Sequence, residues 1–364
     1  MGGRVAVIGT GLIGGSIGLA LRAQRDYDVV GWDQDGDRLT RARQLGAVGD
    51  AAASIDDAVA GADLVIVAVP VSAIATTVVA ALDAGAGVVS DVGSVKAPVV
   101  AEVEKLRPDE SARFVGGHPM AGSEQDGVDG ADATLFVGST WALTPSANTD
   151  ERSYTLVLRV IRDLGADLVT LTPEHHDELV AMVSHVPQLA ASTLMDVASA
   201  TEDELPTMRR LAAGGFRDMT RIAAGHPGIW PDILSTNREA VLDALDTYVA
   251  ALLRAREIVA AGRRDELLAL LERARAARRN LPAGVSIADD LVEFRVPVPD
   301  REGVLAEVTT LAGRLGVNIS DLEIAHSLEG GSGVLVLVVA ARGADAYEAG
   351  LLELGYHVAR SDLA

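Results

Sequence analysis

Three glycines at positions 9, 11 and 14, a histidine at 118 held between Gly116-Gly117 and Pro119, and arginines around position 220 have the types and spacing to do chemistry. Gly9-Thr10-Gly11-Leu12-Ile13-Gly14 reads G-x-G-x-x-G. Gly9 suits a tight turn, Gly11 lets bare backbone approach a pyrophosphate, and Gly14 lets a helix pack closely on a sheet. Leu12 and Ile13 open that helix, whose N-terminal N–H groups and partial positive charge favour phosphate oxygens. Asp33 ends the next apolar run, about 20 residues beyond the glycines, where a carboxylate accepts from ribose hydroxyls and repels a 2′-phosphate. The expected cofactor is therefore NAD rather than NADP.

Two further places could carry a reaction. Asp91-Val92-Gly93-Ser94-Val95-Lys96 follows an apolar run and sets a hydroxyl and an ammonium at a helix start, where Ser94 could equally be an N-cap. His118 sits at a strand end, with its backbone constrained by Gly117 and Pro119, where ligands of doubly wound sheets bind. His185 lies in an otherwise apolar helical stretch and needs a polar partner or a ligand. Arg209, Arg210, Arg217, Arg221 and Arg238 fall in a stretch with only Asp218 and Asp232 as aspartates, a local cationic patch suited to a small dianion, although Arg209 and Arg210 read rather as solvated helix surface. The run His175-His176-Asp177-Glu178 is not read as a metal site, because adjacent histidines on a helix point to different faces.

The elements that must position these residues follow from the pattern. Strands are expected at Arg4 to Ile8, Asp28 to Trp32, Asp63 to Val69 (ending at Pro70), Gly87 to Asp91, Arg113 to Gly116 and Thr140 to Thr144. Helical patterns intervene near 35–45, 71–82 and 95–106, which gives a mostly parallel, doubly wound sheet. Ligand-binding residues should then follow strand ends, with Val69 and Pro70 among those facing the cofactor. After a strand at Asp167 to Leu171, Thr172 reads as an N-cap, and Leu179 to Ala198 is apolar on nearly every face, the mark of a helix buried all round. Residues 291–364 read as strand (Leu291 to Val298), helix (Arg301 to Leu315), strand (Asn318 to His326), strand (Gly333 to Ala340), helix (Asp345 to Leu354) and strand (Tyr356 to Arg360), a ferredoxin-like β-α-β-β-α-β order with Asp300 capping the first helix. The division expected is 1–148 Rossmann-type, 149–283 all-α helical, 284–290 linker and 291–364 ferredoxin-like α+β.

Composition sets the outer bounds. The 364 residues are 49% apolar and 23% charged, as in globular domains with substantial cores. A net charge of −21 argues against nucleic acid or an anionic membrane as partner. The absence of cysteine excludes disulfides and thiolate metal sites, and no metal is expected. Apolar runs such as Val334 to Ala341 are far too short to span a bilayer, so a cytoplasmic location is expected. Lys96 and Lys105 are the two lysines, so arginine is the general cation of this chain.

The chain resembles the bacterial prephenate dehydrogenases of tyrosine biosynthesis. Gly9 to Ser16, Asp91 to Lys96, Gly117 to Glu124, His175 to Asp177, Ser184 to Pro187 and Gly214 to Ala223 carry the likeness. Residues 291–364 resemble an ACT domain, an amino-acid-sensing module. The resemblance implies NAD-dependent oxidative decarboxylation of prephenate, with His118 as the catalytic histidine and Ser94 assisting it. It further implies Arg221 on a substrate carboxylate, and His185, Arg217 and Ser123 elsewhere around the substrate. A neutral His118 is required, so activity should fall below about pH 6.5 if its pKa is unperturbed. The apolar helix at Leu179 to Ala198 is expected to pack within a helical domain that also forms a homodimer interface, and the likeness implies an aromatic amino acid as effector at Asp300, Glu302, Gly303, Val304, Leu305 and Asn318. The nearest alternative is arogenate dehydrogenase, the same chemistry on an amino-acid substrate. A non-catalytic NAD-binding amino-acid sensor would have fitted had His118 or Arg221 been missing.

Overall fold

Strand β1 (Arg4–Ile8) serves two hydrophobic cores at once. Val5 and Val7 point into one with Ile17, Leu21, Val157 and Ile161, while Ala6 and Ile8 point into the other with Ile74, Val78, Val99 and Val103. Alternate side chains of a strand leave opposite faces, so a central strand covered by helices on both sides must be apolar throughout. The computed structural model describes residues 2–24, 26–122, 125, 127–199, 214–279, 291–299, 301–326 and 332–363. They fall into two compact units, Met1–Arg254 and Ala255–Ala364.

In the first unit, β1, β2 (Asp28–Trp32), β3 (Asp50–Ala51), β4 (Leu64–Val67), β5 (Val89–Asp91), β6 (Phe114–Pro119), β7 (Thr140–Thr144) and β8 (Asp167–Thr170) form one sheet. Its order is β3-β2-β1-β4-β5-β6-β7-β8. The pairs from β3 through β6 are parallel, as expected of a doubly wound sheet. Helices α1 (Leu12–Ala23), α2 (Gly36–Gln44), α3 (Ile55–Val59), α4 (Val71–Asp83), α5 (Ala97–Leu106) and α6 (Glu151–Asp163) accompany it. The two-residue β3 and the short α3 escaped the sequence pattern because neither is long enough to show a period.

Two departures bear on the site. Strand β6 runs on to Pro119 and pairs antiparallel with β7, His118 opposite Ala142. His118 is thus inside a strand, not just after one, and its backbone is fixed by a ladder. Beyond β8, α7 (Pro173–Val180) starts where expected, the Thr172 hydroxyl accepting the His175 N–H at 3.2 Å. It then widens into one π-helical turn, Ala181–His185, and continues as α8 (Val186–Ser199). Pro187 has no N–H to give the Val183 carbonyl and its ring crowds that oxygen, so a widened turn relieves the conflict there. The expectation of burial on every face fails: Leu179, Met182, Val183 and Val197 are exposed, Val197 at 73%. These side chains are apolar without being covered by this chain.

The second unit contains an antiparallel sheet of β9 (Leu291–Pro299), β10 (Ile319–His326), β11 (Ser332–Ala340) and β12 (Ala359–Leu363) in the order β10-β11-β9-β12. With helices Val304–Leu315 and Ala341–Glu353 this is the β-α-β-β-α-β arrangement. Phe294, Val308, Leu337, Tyr347 and Leu351 fill its core. The first helix starts at Val304, after a left-handed Gly303 at φ 87°, three residues later than expected. The second begins earlier, at Ala341, and the last strand starts at Ala359 rather than Tyr356. Asp300 lies outside the described residues.

Candidate active site

The glycine loop has the form its sequence implied. Gly9 adopts φ 94° and passes so close to β4 that a Cβ would lie 2.3 Å from the Ala68 carbonyl oxygen. At Gly14 a Cβ would lie 1.9 Å from the Gly9 carbonyl oxygen, so α1 can approach the sheet only with glycine there. Gly11 is the opposite case: no atom lies within 4 Å of where its Cβ would sit. Gly11 is the N-cap of α1 and no side chain caps that end. Leu12 and Ile13 therefore begin a helix whose first N–H groups face an open, Cβ-free cradle, which fits a dinucleotide pyrophosphate. Val69 flanks Gly9, and Pro70 is the N-cap of α4.

Asp33 is buried and ties the loop to the end of β2. Its Oδ2 accepts from the Thr10 N–H at 2.8 Å and hydroxyl at 3.1 Å, and its Oδ1 accepts from the Asp35 N–H at 2.9 Å. Arg38 stands 3.6 Å from Oδ1. A lone pair of Oδ1 is left for a further donor.

Around His118 the chain has built a polar cluster from four elements. Nδ1 of His118 lies 2.9 Å from Nε2 of His176 on α7, and Nδ1 of His176 lies 2.8 Å from Oδ1 of Asp177. Asp177 also accepts the N–H groups of Lys96 and Ala97, each at 2.8 Å, and so caps α5 from another helix. That removes the N-cap reading of Ser94, which is half-buried and has no side-chain partner among the described residues. Lys96 is fully buried; its Nζ bonds the Asp91 carboxylate and the Gly117 carbonyl, the latter at 2.8 Å. Asp91 in turn receives the Gly117 N–H at 3.1 Å and the Gly93 N–H at 2.9 Å. The residue before His118 is thus gripped at both N–H and C=O. Gly117 must be glycine, since a Cβ would lie 2.7 Å from the Asp91 carbonyl oxygen.

His185 joins the cluster through Asn237. The Asn237 amide donates to the Asp177 carbonyl at 3.0 Å and lies 3.3 Å from Nδ1 of His185. A carbonyl can only accept, so the NH2 group faces it; its second hydrogen meets Nδ1 of His185, leaving that imidazole's proton on Nε2. Trp230 packs edge-on against the same ring at 6.2 Å. In an uninterrupted helix eight residues would turn Asp177 and His185 about 80° apart, and the extra residue of the π turn reduces this to about 20°. The two therefore share one partner.

The electrostatics favour the neutral form of His118 and of His185. Burial, then His176, Lys96 and His185, hold His118 well below the usual 6.5. Burial pushes His185 down to about 4, against the opposing pull of Asp177. Burial also lowers the Lys96 ammonium, with Asp91 and Asp177 pulling the other way.

Arg217, on the helix Gly214–Thr220, and Arg221, opening the turn Arg221–Ala224, are exposed. Neither makes an ion pair or side-chain hydrogen bond among the described residues. That turn packs against α8. Ser123 lies outside the described residues. In the second unit Glu302, Gly303, Leu305 and Asn318 are exposed, whereas Val304 is buried. His176, Asp177, Asp91 and Asn237 were given no site role from the sequence, and Lys96 was noted only as an ammonium at a helix start. The signal available was the His175-His176-Asp177 run, of which His175 is indeed exposed and His176 buried.

Comparison with known proteins identifies the family. The family models for the prephenate dehydrogenase nucleotide-binding domain and dimerization domain match residues 17–170 and 172–273. Prephenate dehydrogenase of Bacillus subtilis is 33% identical over 338 residues, 91% of this chain and 90% of that protein. Prephenate dehydrogenase of Aquifex aeolicus, solved with hydroxyphenyl propionate and NAD+, superposes with TM-score 0.69 at 30% identity over 77% of this chain and 98% of its own. Arogenate dehydrogenase of Synechocystis superposes with TM-score 0.67 at 28% identity, over 76% and 98%. Two consecutive family models and a relative matched over nine-tenths of the chain leave one conclusion: the chain belongs to the prephenate dehydrogenase family.

Proposed function

We propose that His118 is the proton acceptor in the NAD-dependent oxidative decarboxylation of prephenate to 4-hydroxyphenylpyruvate. The chain is an NAD-dependent oxidoreductase of the prephenate dehydrogenase family. The observation that carries the assignment is a neutral histidine clamped at a strand end, with Nδ1 engaged by His176 and Nε2 without a partner among the described residues. Nε2 takes the proton of the ring hydroxyl as the C–H electron pair leaves, and loss of the ring carboxylate as CO2 makes the ring aromatic. NAD supplies the hydride acceptor when bound. Gly9, Gly11, Leu12, Ile13 and Gly14 hold its pyrophosphate, Asp33 meets the ribose through Oδ1, and Val69 and Pro70 border it. Ser94, whose hydroxyl is uncommitted, bonds the substrate hydroxyl beside His118.

Arg221 binds a substrate carboxylate with its planar fork, and Arg217, Ser123 and the Nε2–H of His185 serve the rest of the substrate. Offering prephenate and arogenate at equal concentration tests the choice of substrate. Prephenate is expected to turn over faster, and Arg221→Ala to raise its KM. The second unit acts as an ACT regulatory domain for an aromatic amino acid, with Asp300, Glu302, Gly303, Val304, Leu305 and Asn318 at the effector site; its strand order supports this. Inhibition by tyrosine that survives removal of residues 287–364 would contradict it. Exposed apolar side chains on α7 and α8, in the stretch matched by the dimerization model, support a homodimer. Among the described residues no helix is long and apolar enough to cross a membrane.

A further inference from the structure

We propose that His176 is a positioning residue that fixes the proton of His118 on Nδ1 and so turns a bare Nε2 toward the substrate hydroxyl. The inference rests on the reading of His118 as proton acceptor. The chain of donors runs one way. The Asp177 carboxylate accepts two backbone N–H groups at the start of α5, one on each oxygen, and as an acceptor it needs a donor opposite it. Nδ1 of His176 must then carry the proton that meets Oδ1. A neutral imidazole has one such proton, so Nε2 of His176 is bare and can only accept. Nδ1 of His118, 2.9 Å away, must be the donor, and its Nε2 is left with the lone pair.

Interposing an imidazole has a physical use. A carboxylate bonded directly to His118 would stabilise its protonated form and raise its pKa. His176 passes on the direction of the hydrogen bond while keeping the charge one ring farther away, next to Lys96 and the start of α5, which share it. Both nitrogens of His176 are engaged, its ring is 1% exposed, and it meets His118 edge-on at 5.1 Å. A purely space-filling role would leave those nitrogens without partners.

The test uses the full-length enzyme. Nitrogen NMR of histidine-labelled protein at neutral pH, assigned with His118→Asn and His176→Gln, reports which ring nitrogens carry protons. The expected result is Nδ1–H with bare Nε2 for His118. The opposite tautomer, in which a cationic His176 donates to His118, would overturn the proposal. In steady state His176→Phe should lower kcat about 100-fold, with both KM values within about threefold. His176→Gln, whose amide oxygen can accept from Nδ1–H, should recover at least about tenfold of that loss. A kcat for His176→Phe within about threefold of wild type, or Gln no better than Phe, would overturn it. Full activity in His118→Asn would instead sink the proton-acceptor reading, leaving the measured tautomer as it stands.

Discussion

The Asp177 carboxylate accepts the Lys96 backbone N–H at 2.8 Å, so one residue of α7 closes the N-terminus of α5 while orienting the histidine beside it. Asp177→Ala removes the cap, the Ala97 contact and the His176 partner at a buried site. It should cost about 2–3 kcal/mol of stability, read as a lower midpoint in urea. An unchanged midpoint would mean that the cap contributes nothing.

The buried pair of Lys96 and Asp91 makes a separate prediction. Lys96→Met strands the Asp91 carboxylate and frees the Gly117 carbonyl, and should cost about 3–5 kcal/mol. The double variant with Asp91→Asn should recover part of that loss, because an uncharged amide is left in place of an unpaired charge. Additive losses in the double variant would contradict this.

Two glycines of one loop should respond differently. Gly11→Ala meets no atom, so the melting temperature should hold while the KM for NAD rises about tenfold or more, its methyl filling the cradle. Gly14→Ala drives a methyl onto the Gly9 carbonyl and should lower the melting temperature as well. Thermal scans and NAD titrations of the two variants separate the cases.

The pH dependence follows from the depressed histidines. A proton acceptor must be neutral, and burial with His176, Lys96 and His185 holds His118 well below 6.5. kcat/KM should therefore persist as pH falls through 6.5 and be lost only at lower pH, which corrects the acid limb at about 6.5 expected of an unperturbed histidine. His185, at about 4 when folded against an ordinary 6.5, acts on stability. The unfolded chain takes up the proton first, so stability is full above 6.5, declines toward 4 and levels off below. The loss amounts to about 3 kcal/mol, and His185→Gln should remove that part of the slope.

The β1–α1–β2 unit was legible because it is built from local signals: apolar runs of strand length, glycines at fixed offsets and an aspartate at the next strand end. His118 was legible for the same reason. Its partner was not, since His176 lies 58 residues away and becomes a neighbour only when α7 packs beside β6. Lys96 read as an ammonium at a helix start, and nothing local marks it as buried. The reversal of β7 against β6 and the π turn before Pro187 are likewise set by packing and by a backbone conflict that hydrophobic periodicity does not record. Apolar faces of α7 and α8 read as core because hydrophobic periodicity does not distinguish a covered apolar side chain from an exposed one.

The most direct test is NADH formation from NAD and prephenate by the wild type and by His118→Asn. The account predicts prephenate-dependent NADH in the wild type, and in the variant a kcat lower by about 1,000-fold with the KM for prephenate within about threefold. A variant that keeps its kcat, or loses activity only through KM, would contradict the central claim that His118 takes the proton.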